Sequence, residues 1–211
     1  MGRVVGVTQW HRGAARGRPE DPGAPWAVVL PGIDYTVIHP LLYFASTALV
    51  QDGWRVLTVQ WDTSGMELPR DADAGAALAE DAWAAARAEL PDGAAPGLLV
   101  AKSMGTLATG RALADGVDVV ALTPLLVPPF AHHYPRTPAG RRVLAVGGTS
   151  DALWDAGAAA EREFEVVEVP GGDHALELAG HWRESLHTNE RVTGALIDFA
   201  ATCRDRECTG G

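Results

Sequence analysis

Residues 98–113, LLVAKSMGTLATGRAL, decide how this chain is read. Leu98, Leu99, Val100 and Ala101 form a short apolar run with the length and character of a strand buried on both faces. Leu107, Ala108, Arg111, Ala112 and Leu113 then recur at helical spacing. Between them lies Lys102-Ser103-Met104-Gly105, which has neither Pro nor Asn-Gly and so does not spell an ordinary loop. A strand passing directly into a helix around a serine has the form of a nucleophile elbow, G-x-S-x-G, whose strained backbone presents the hydroxyl at the strand's C-terminal end. Positions two before and two after the serine must be small, because they pack against neighbouring backbone. Ala101 and Gly105 occupy them, Ala101 adding one methyl to the usual glycine. Taken alone, the stretch also admits a plainer reading, in which Ser103 caps a helix that begins at Met104.

Outward from the elbow, strand and helix alternate. Residues 4–10 (VVGVTQW) read as a short edge strand, and residues 11–25 as a Gly-, Pro- and Arg-rich connector carrying a surface histidine, His11. Residues 26–30 (WAVVL) are a buried strand ending in Pro31-Gly32-Ile33-Asp34-Tyr35, ahead of a helix over about 36–51. Asp52-Gly53 stops that helix, and residues 54–60 form the next strand. The loop Trp61-Asp62-Thr63-Ser64-Gly65, where Asp62 caps the turn or lines a site mouth, leads to an alanine-rich helix over about 73–90. Trp83 falls on its core-facing stripe. Strands follow at 118–122, 142–146 and 164–169, then a closing helix over about 180–200 and a polar tail, 201–211, that is expected to fray.

This alternation predicts an α/β fold in one domain, 1–211: a mostly parallel sheet of about six to seven strands with helices on both faces. Residues 123–140 are proline-punctuated and too few for a substantial cap domain. With 211 residues, 47% of them hydrophobic, the chain can bury a full core. A net charge of −10 repels polyanions, so nucleic acid and anionic membrane surfaces are not expected partners. No apolar run approaches membrane-spanning length and the first residues lack a signal-peptide core, so a cytoplasmic protein is expected. Cys203 and Cys208 have no base beside them and read as bystanders. His132 and His133 are adjacent, so their side chains should diverge in helix or strand, and no metal site is expected.

Ligands of open parallel sheets bind outside the carboxyl ends of the strands. Four polar features sit at such ends, in the order Gly32-Ile33, Ser103, Asp151, His174. From about residue 26 to 200 the chain resembles the α/β-hydrolase superfamily, and within it the small, capless bacterial serine hydrolases. The resemblance is carried by Pro31-Gly32-Ile33-Asp34-Tyr35, Ser103-Met104-Gly105, Gly148-Thr149-Ser150-Asp151 and Gly172-Asp173-His174. Ala101 and the missing first strands of the fuller eight-stranded sheet depart from it. The resemblance implies a minimal α/β-hydrolase fold, no cofactor, and a Ser103–His174–Asp151 triad, with the amides of Ile33 and Met104 forming an oxyanion hole.

A serine needs a base that takes its proton as it attacks, and a base needs an acid that orients it. Asp155, one turn beyond Asp151, is the reserve acid, and Asp173 reads as shaping its turn. His181 and His187 read as solvated or interfacial. Lys102 either places charge at the site rim or forms a structural ion pair. Tyr35, Trp61 and Trp154 are candidate apolar walls for a small-molecule substrate. The expected activity is cleavage of an ester or thioester of a small to medium acyl group through an acyl-enzyme. Acyl transfer, cyclisation or lyase chemistry needs the same groups, and a catalytically silent binding module is the third alternative.

Overall fold

Trp26, Val28 and Leu30 alternate with Ala27 and Val29, and the two sets enter different cores on opposite faces of one sheet. The computed structural model describes residues 2–12 and 23–209, with side chains to residue 204. Most of the 11–25 connector, the Cys208 side chain and residues 210–211 lie outside the described residues.

The sheet has seven strands: β1 (Arg3–Trp10), β2 (Trp26–Leu30), β3 (Arg55–Asp62), β4 (Pro96–Lys102), β5 (Asp118–Leu122), β6 (Val143–Gly148) and β7 (Glu165–Val169). They run in the order β1-β3-β2-β4-β5-β6-β7. Only β1 is antiparallel, against β3 at one edge; every other pairing is parallel. One face is covered by α2 (Ala72–Ala88), whose Leu78, Ala82 and Trp83 pack with Val28, Leu99 and Val119. The other is covered by α1 (Pro40–Gln51) and α5 (Trp182–Thr209), through Leu42, Leu49, Leu196 and Phe199 against Val29, Val100 and Val120. Each fully buried Leu or Val stabilises the fold by about 1.5–3 kcal/mol relative to exposure. The short α3 (Thr109–Ala114) and α4 (Ala156–Glu161) complete the helices.

Three boundaries differ most from expectation. The helix after β2 begins at Pro40 rather than near residue 36, because proline opens a helix but holds the preceding residue, His39, extended at φ −73°, ψ 154°. The polar tail is helical: α5 continues to Thr209, with Cys203 buried and Arg204 donating to the Asp52 carbonyl at 2.6 Å. The helix after Ser103 opens as a 3-10 turn, Ser103–Ala108, before α3 begins. Residues 123–140 form no cap; Leu125, Leu126, Phe130 and Tyr134 are buried against the core. Among the described residues no helix is long and apolar enough to cross a membrane.

Candidate active site

Strand β4 is central, and its end lies beside β2, where the connections turn to opposite sides of the sheet. Ser103 follows it directly with φ +52°, a left-handed conformation that costs a non-glycine residue energy. Close packing holds it there. A Cβ at Gly105 would stand 2.5 Å from the Pro31 carbonyl oxygen, and one at Gly32 would stand 3.2 Å from Ser103 Cβ. Ala101 is fully buried, its extra methyl absorbed by the core on the α2 face.

The Thr106 hydroxyl donates to the Ser103 carbonyl at 2.5 Å, so the Tyr134 hydroxyl must be the donor in its 2.6 Å contact with Thr106 Oγ1. The Leu125 amide donates to Tyr134 Oη in turn, at 3.0 Å. Burial pushes the Tyr134 phenol above its ordinary pKa, which keeps this donor protonated. Thr106 and Tyr134 were not legible as site residues, since nothing in their own neighbourhood distinguishes them from other core polar groups.

The loops after β6 and β7 pack backbone on backbone. A Cβ at Gly148 would fall 2.1 Å from the Gly172 carbonyl oxygen, and the Ser150 amide donates to that same oxygen at 3.0 Å. This contact delivers Asp151 and His174 to one place. His174 Nδ1 lies 2.7 Å from Asp151 Oδ2, and its Nε2 lies 2.8 Å from Ser103 Oγ. A carboxylate only accepts, so Nδ1 carries the proton and Nε2 is left to accept from the serine hydroxyl. The Ser103 hydroxyl is therefore spent on His174 and not on a helix cap. Desolvation raises the Asp151 carboxyl, but the bonds from His174 and the Leu153 amide, with the charges of His174 and Lys102, outweigh it and hold the carboxyl below its ordinary value. Gly148→Ala is expected to force these loops apart, costing about 1–3 kcal/mol in urea denaturation and lowering reactivity at Ser103.

No family model matches the sequence, and sequence comparison finds no curated relative. Solved structures do match. The structure of ATU1826 from Agrobacterium tumefaciens, described as a putative α/β hydrolase, aligns with TM-score 0.65 at 17% identity, over 99% of this chain and 91% of that one. Est1E from Butyrivibrio proteoclasticus, solved with ferulic acid, aligns with TM-score 0.70 at 14% identity over 95% of each chain. XC6422 from Xanthomonas campestris, described as an α/β serine hydrolase without lid, aligns with TM-score 0.62 at 16% identity, over 92% and 88%. The chain has the α/β-hydrolase fold. Among the described residues its version is small, with seven strands and no cap domain.

In this hydrolase fold Lys102 departs from both of its expected roles. It is 1% exposed, and its Nζ donates to the His174 carbonyl at 2.8 Å while lying 4.8 Å from the centre of the Tyr35 ring. Side chains alternate along β4, so the residue before Ser103 points to the α1 and α5 face and ends beneath the His174 loop. Burial pushes the ammonium down to about 7, against the opposing charges of Asp151 and Asp173.

The remaining candidates sort by their partners. Trp61 Nε1 donates to the Gly32 carbonyl at 3.1 Å, and the Gly32 amide donates to the Tyr35 carbonyl at 3.0 Å, so Trp61 and Tyr35 brace the turn that carries Ile33. Tyr35 Oη also accepts from the Leu41 amide at 3.1 Å, and burial pushes its phenol up to about 12. Trp154 covers Gly147 and donates to Glu168 at 2.8 Å, which makes it packing at the sheet edge. Asp155 caps α4 through the Ala158 amide, at 2.9 Å, and is not brought to His174. Asp173 accepts from the amides of Ala175 and Glu177 and shapes its turn, as expected. Asp62 caps the Ser64 amide at 3.0 Å. His181 and His187 are exposed. Beside the His174 loop runs a half-open groove of about 440 Å³, lined by Tyr35, Leu41, Leu178, Trp182 and Leu186 among others. In sequence Trp182 and Leu186 carry no signal beyond their place in the closing helix.

Proposed function

We propose that the protein is a serine hydrolase that cleaves an ester or thioester of a small to medium acyl group through an acyl-enzyme. The observation that carries this reading is the pair of contacts made by one imidazole, 2.8 Å to Ser103 Oγ and 2.7 Å to Asp151 Oδ2. Ser103 attacks the carbonyl carbon while His174 takes its proton and later returns it to the leaving group. Asp151 holds the imidazole in the tautomer that accepts at Nε2 and stabilises the imidazolium as it forms. The amide of Met104 lies in the first turn of the 3-10 segment, where amides have no partner within that segment, and the amide of Ile33 follows the glycine packed on Ser103. Together they would bind the oxyanion, each contributing about 3–4 kcal/mol to transition-state stabilisation. Water then attacks the acyl-enzyme with His174 again as base, releasing the acid and restoring Ser103.

The groove walled by Leu41, Leu178, Trp182 and Leu186 runs beside the loop that carries His174, through Asp173 and Ala175, and would offer an acyl chain apolar surface there. Est1E, which shares the fold, was solved with ferulic acid, so hydroxycinnamate esters belong beside aliphatic esters and thioesters in a substrate panel. A fluorophosphonate probe tests the nucleophile directly. Labelling is expected at Ser103 in the native protein, abolished by Ser103→Ala and strongly reduced by His174→Ala. A native protein that resists the probe sinks the proposal. Repeating the panel with an added alcohol acceptor separates hydrolysis from acyl transfer.

A further inference from the structure

The rings of His132 and His133 lie 3.9 Å apart at 39°, although consecutive side chains diverge in a regular helix or strand. They belong to a single 3-10 turn, Ala131–His133, that gives way at once to extended Tyr134, so neither regular spacing applies. Both Nε2 atoms face one oxygen from the first turn of α2. Asp73 Oδ1 lies 3.8 Å from His132 and 3.5 Å from His133. All three ligand atoms fall within 4.8 Å of one another, and among the described residues no other such trio of His, Cys, Asp or Glu forms.

The turn is held firmly. Arg162 donates to the carbonyls of Ala131 and Tyr134, at 2.8 and 2.9 Å, and a Cβ at Gly110 would meet the His133 carbonyl at 3.2 Å. A second observation comes from His133 itself, whose Nε2 is buried and has Asp73 Oδ1, at 3.5 Å, as its facing group.

We propose that Asp73, His132 and His133 form a binding site for a borderline divalent cation of the zinc type, clamping the start of α2 to the 123–140 segment. Two imidazoles and a carboxylate suit zinc, with bonds of about 2.0–2.2 Å. In a tetrahedral site such bonds set neighbouring ligand atoms about 3.4 Å apart. The separations of 3.5 and 3.8 Å from Asp73 need little closing, which its 91% exposure leaves unhindered, and the two imidazole nitrogens, within 4.8 Å of each other, would draw together on the ion. A solvent water would complete the shell. The cation's role is structural: Tyr134, next in the chain, carries the hydrogen bonds that reach the Ser103 carbonyl through Thr106. The site stands whether or not Ser103 is a nucleophile.

Calorimetric titration of zinc into the full, metal-stripped chain tests it. One zinc per chain is expected, with a Kd tighter than about 10 μM at neutral pH. His133→Ala and Asp73→Asn should each weaken it more than about tenfold, and the zinc-dependent rise in Tm should vanish with Asp73→Asn. The exposed Asp73 keeps the test decisive where His133→Ala loosens the turn. Binding weaker than about 10 μM, or undiminished by both substitutions, overturns the site and leaves a histidine–aspartate ion pair only.

Discussion

Ser103→Ala is expected to lower kcat on any turned-over ester by roughly 10⁶-fold, with His174→Ala close behind and the double variant no worse than either. In the proposed mechanism the three groups act as one unit, so removing any member would leave only binding and oxyanion contributions. Asp151→Asn should cost about 10⁴-fold while leaving the fold in place, because an amide can donate as well as accept and favours the wrong imidazole tautomer. The Asp151 carboxyl is held below its ordinary pKa, so it stays ionised across the neutral range, and the loss in Asp151→Asn should be present throughout that range. The stability this depressed carboxyl contributes is complete above its unfolded pKa and is lost as pH falls through its folded one. Single-turnover acylation and kcat/KM across a pH series check these outcomes. Equal rates in wild type and Asp151→Asn would remove Asp151 from the mechanism.

Lys102→Met should separate stability from activity. The folded chain holds this ammonium at about 7 against 10.5 when unfolded, so between those values the unfolded chain binds the extra proton and wild-type stability rises with pH. Below about 7 the folded state carries the full cost of a buried charge, of the order of 5 kcal/mol. Methionine fills a similar volume without it, offset by about 1–3 kcal/mol for the lost bond to the His174 carbonyl. The variant is expected to be the more stable protein near pH 6 and to lose the rise in stability toward alkaline pH. Its kcat should fall by about 10–100-fold, since the His174 backbone loses the donor that fixes it and small misplacements of a catalytic base are costly. Urea denaturation at two pH values, alongside ester turnover, reads both effects. A variant less stable than wild type near pH 6 would show that the ammonium is better compensated than its surroundings indicate.

The strands were legible because burial on two faces demands unbroken apolar runs, as in WAVVL at 26–30 and DVVAL at 118–122, both of which have the expected bounds. Ser103, Asp151 and His174 were legible for a related reason. Ser103 directly follows such a run, Asp151 and His174 lie in the short loops after β6 and β7, and a parallel sheet gathers its strand ends at one rim. Helix boundaries were less so, since the onset at Pro40 and the continuation of α5 to Thr209 turn on local capping and on contacts such as Arg204 with Asp52, far apart in sequence.

The alternation of strands and helices, and a serine, an aspartate and a histidine placed after three strands, were written in the chain itself, because periodicity and turn chemistry are local properties. Which acid reaches His174, what buries Lys102, why Trp154 packs and does not line a site, and how two adjacent histidines come to share one aspartate were decided only in three dimensions. Those outcomes depend on backbone approaches as close as that of Gly148 to Gly172, between segments that no sequence period connects.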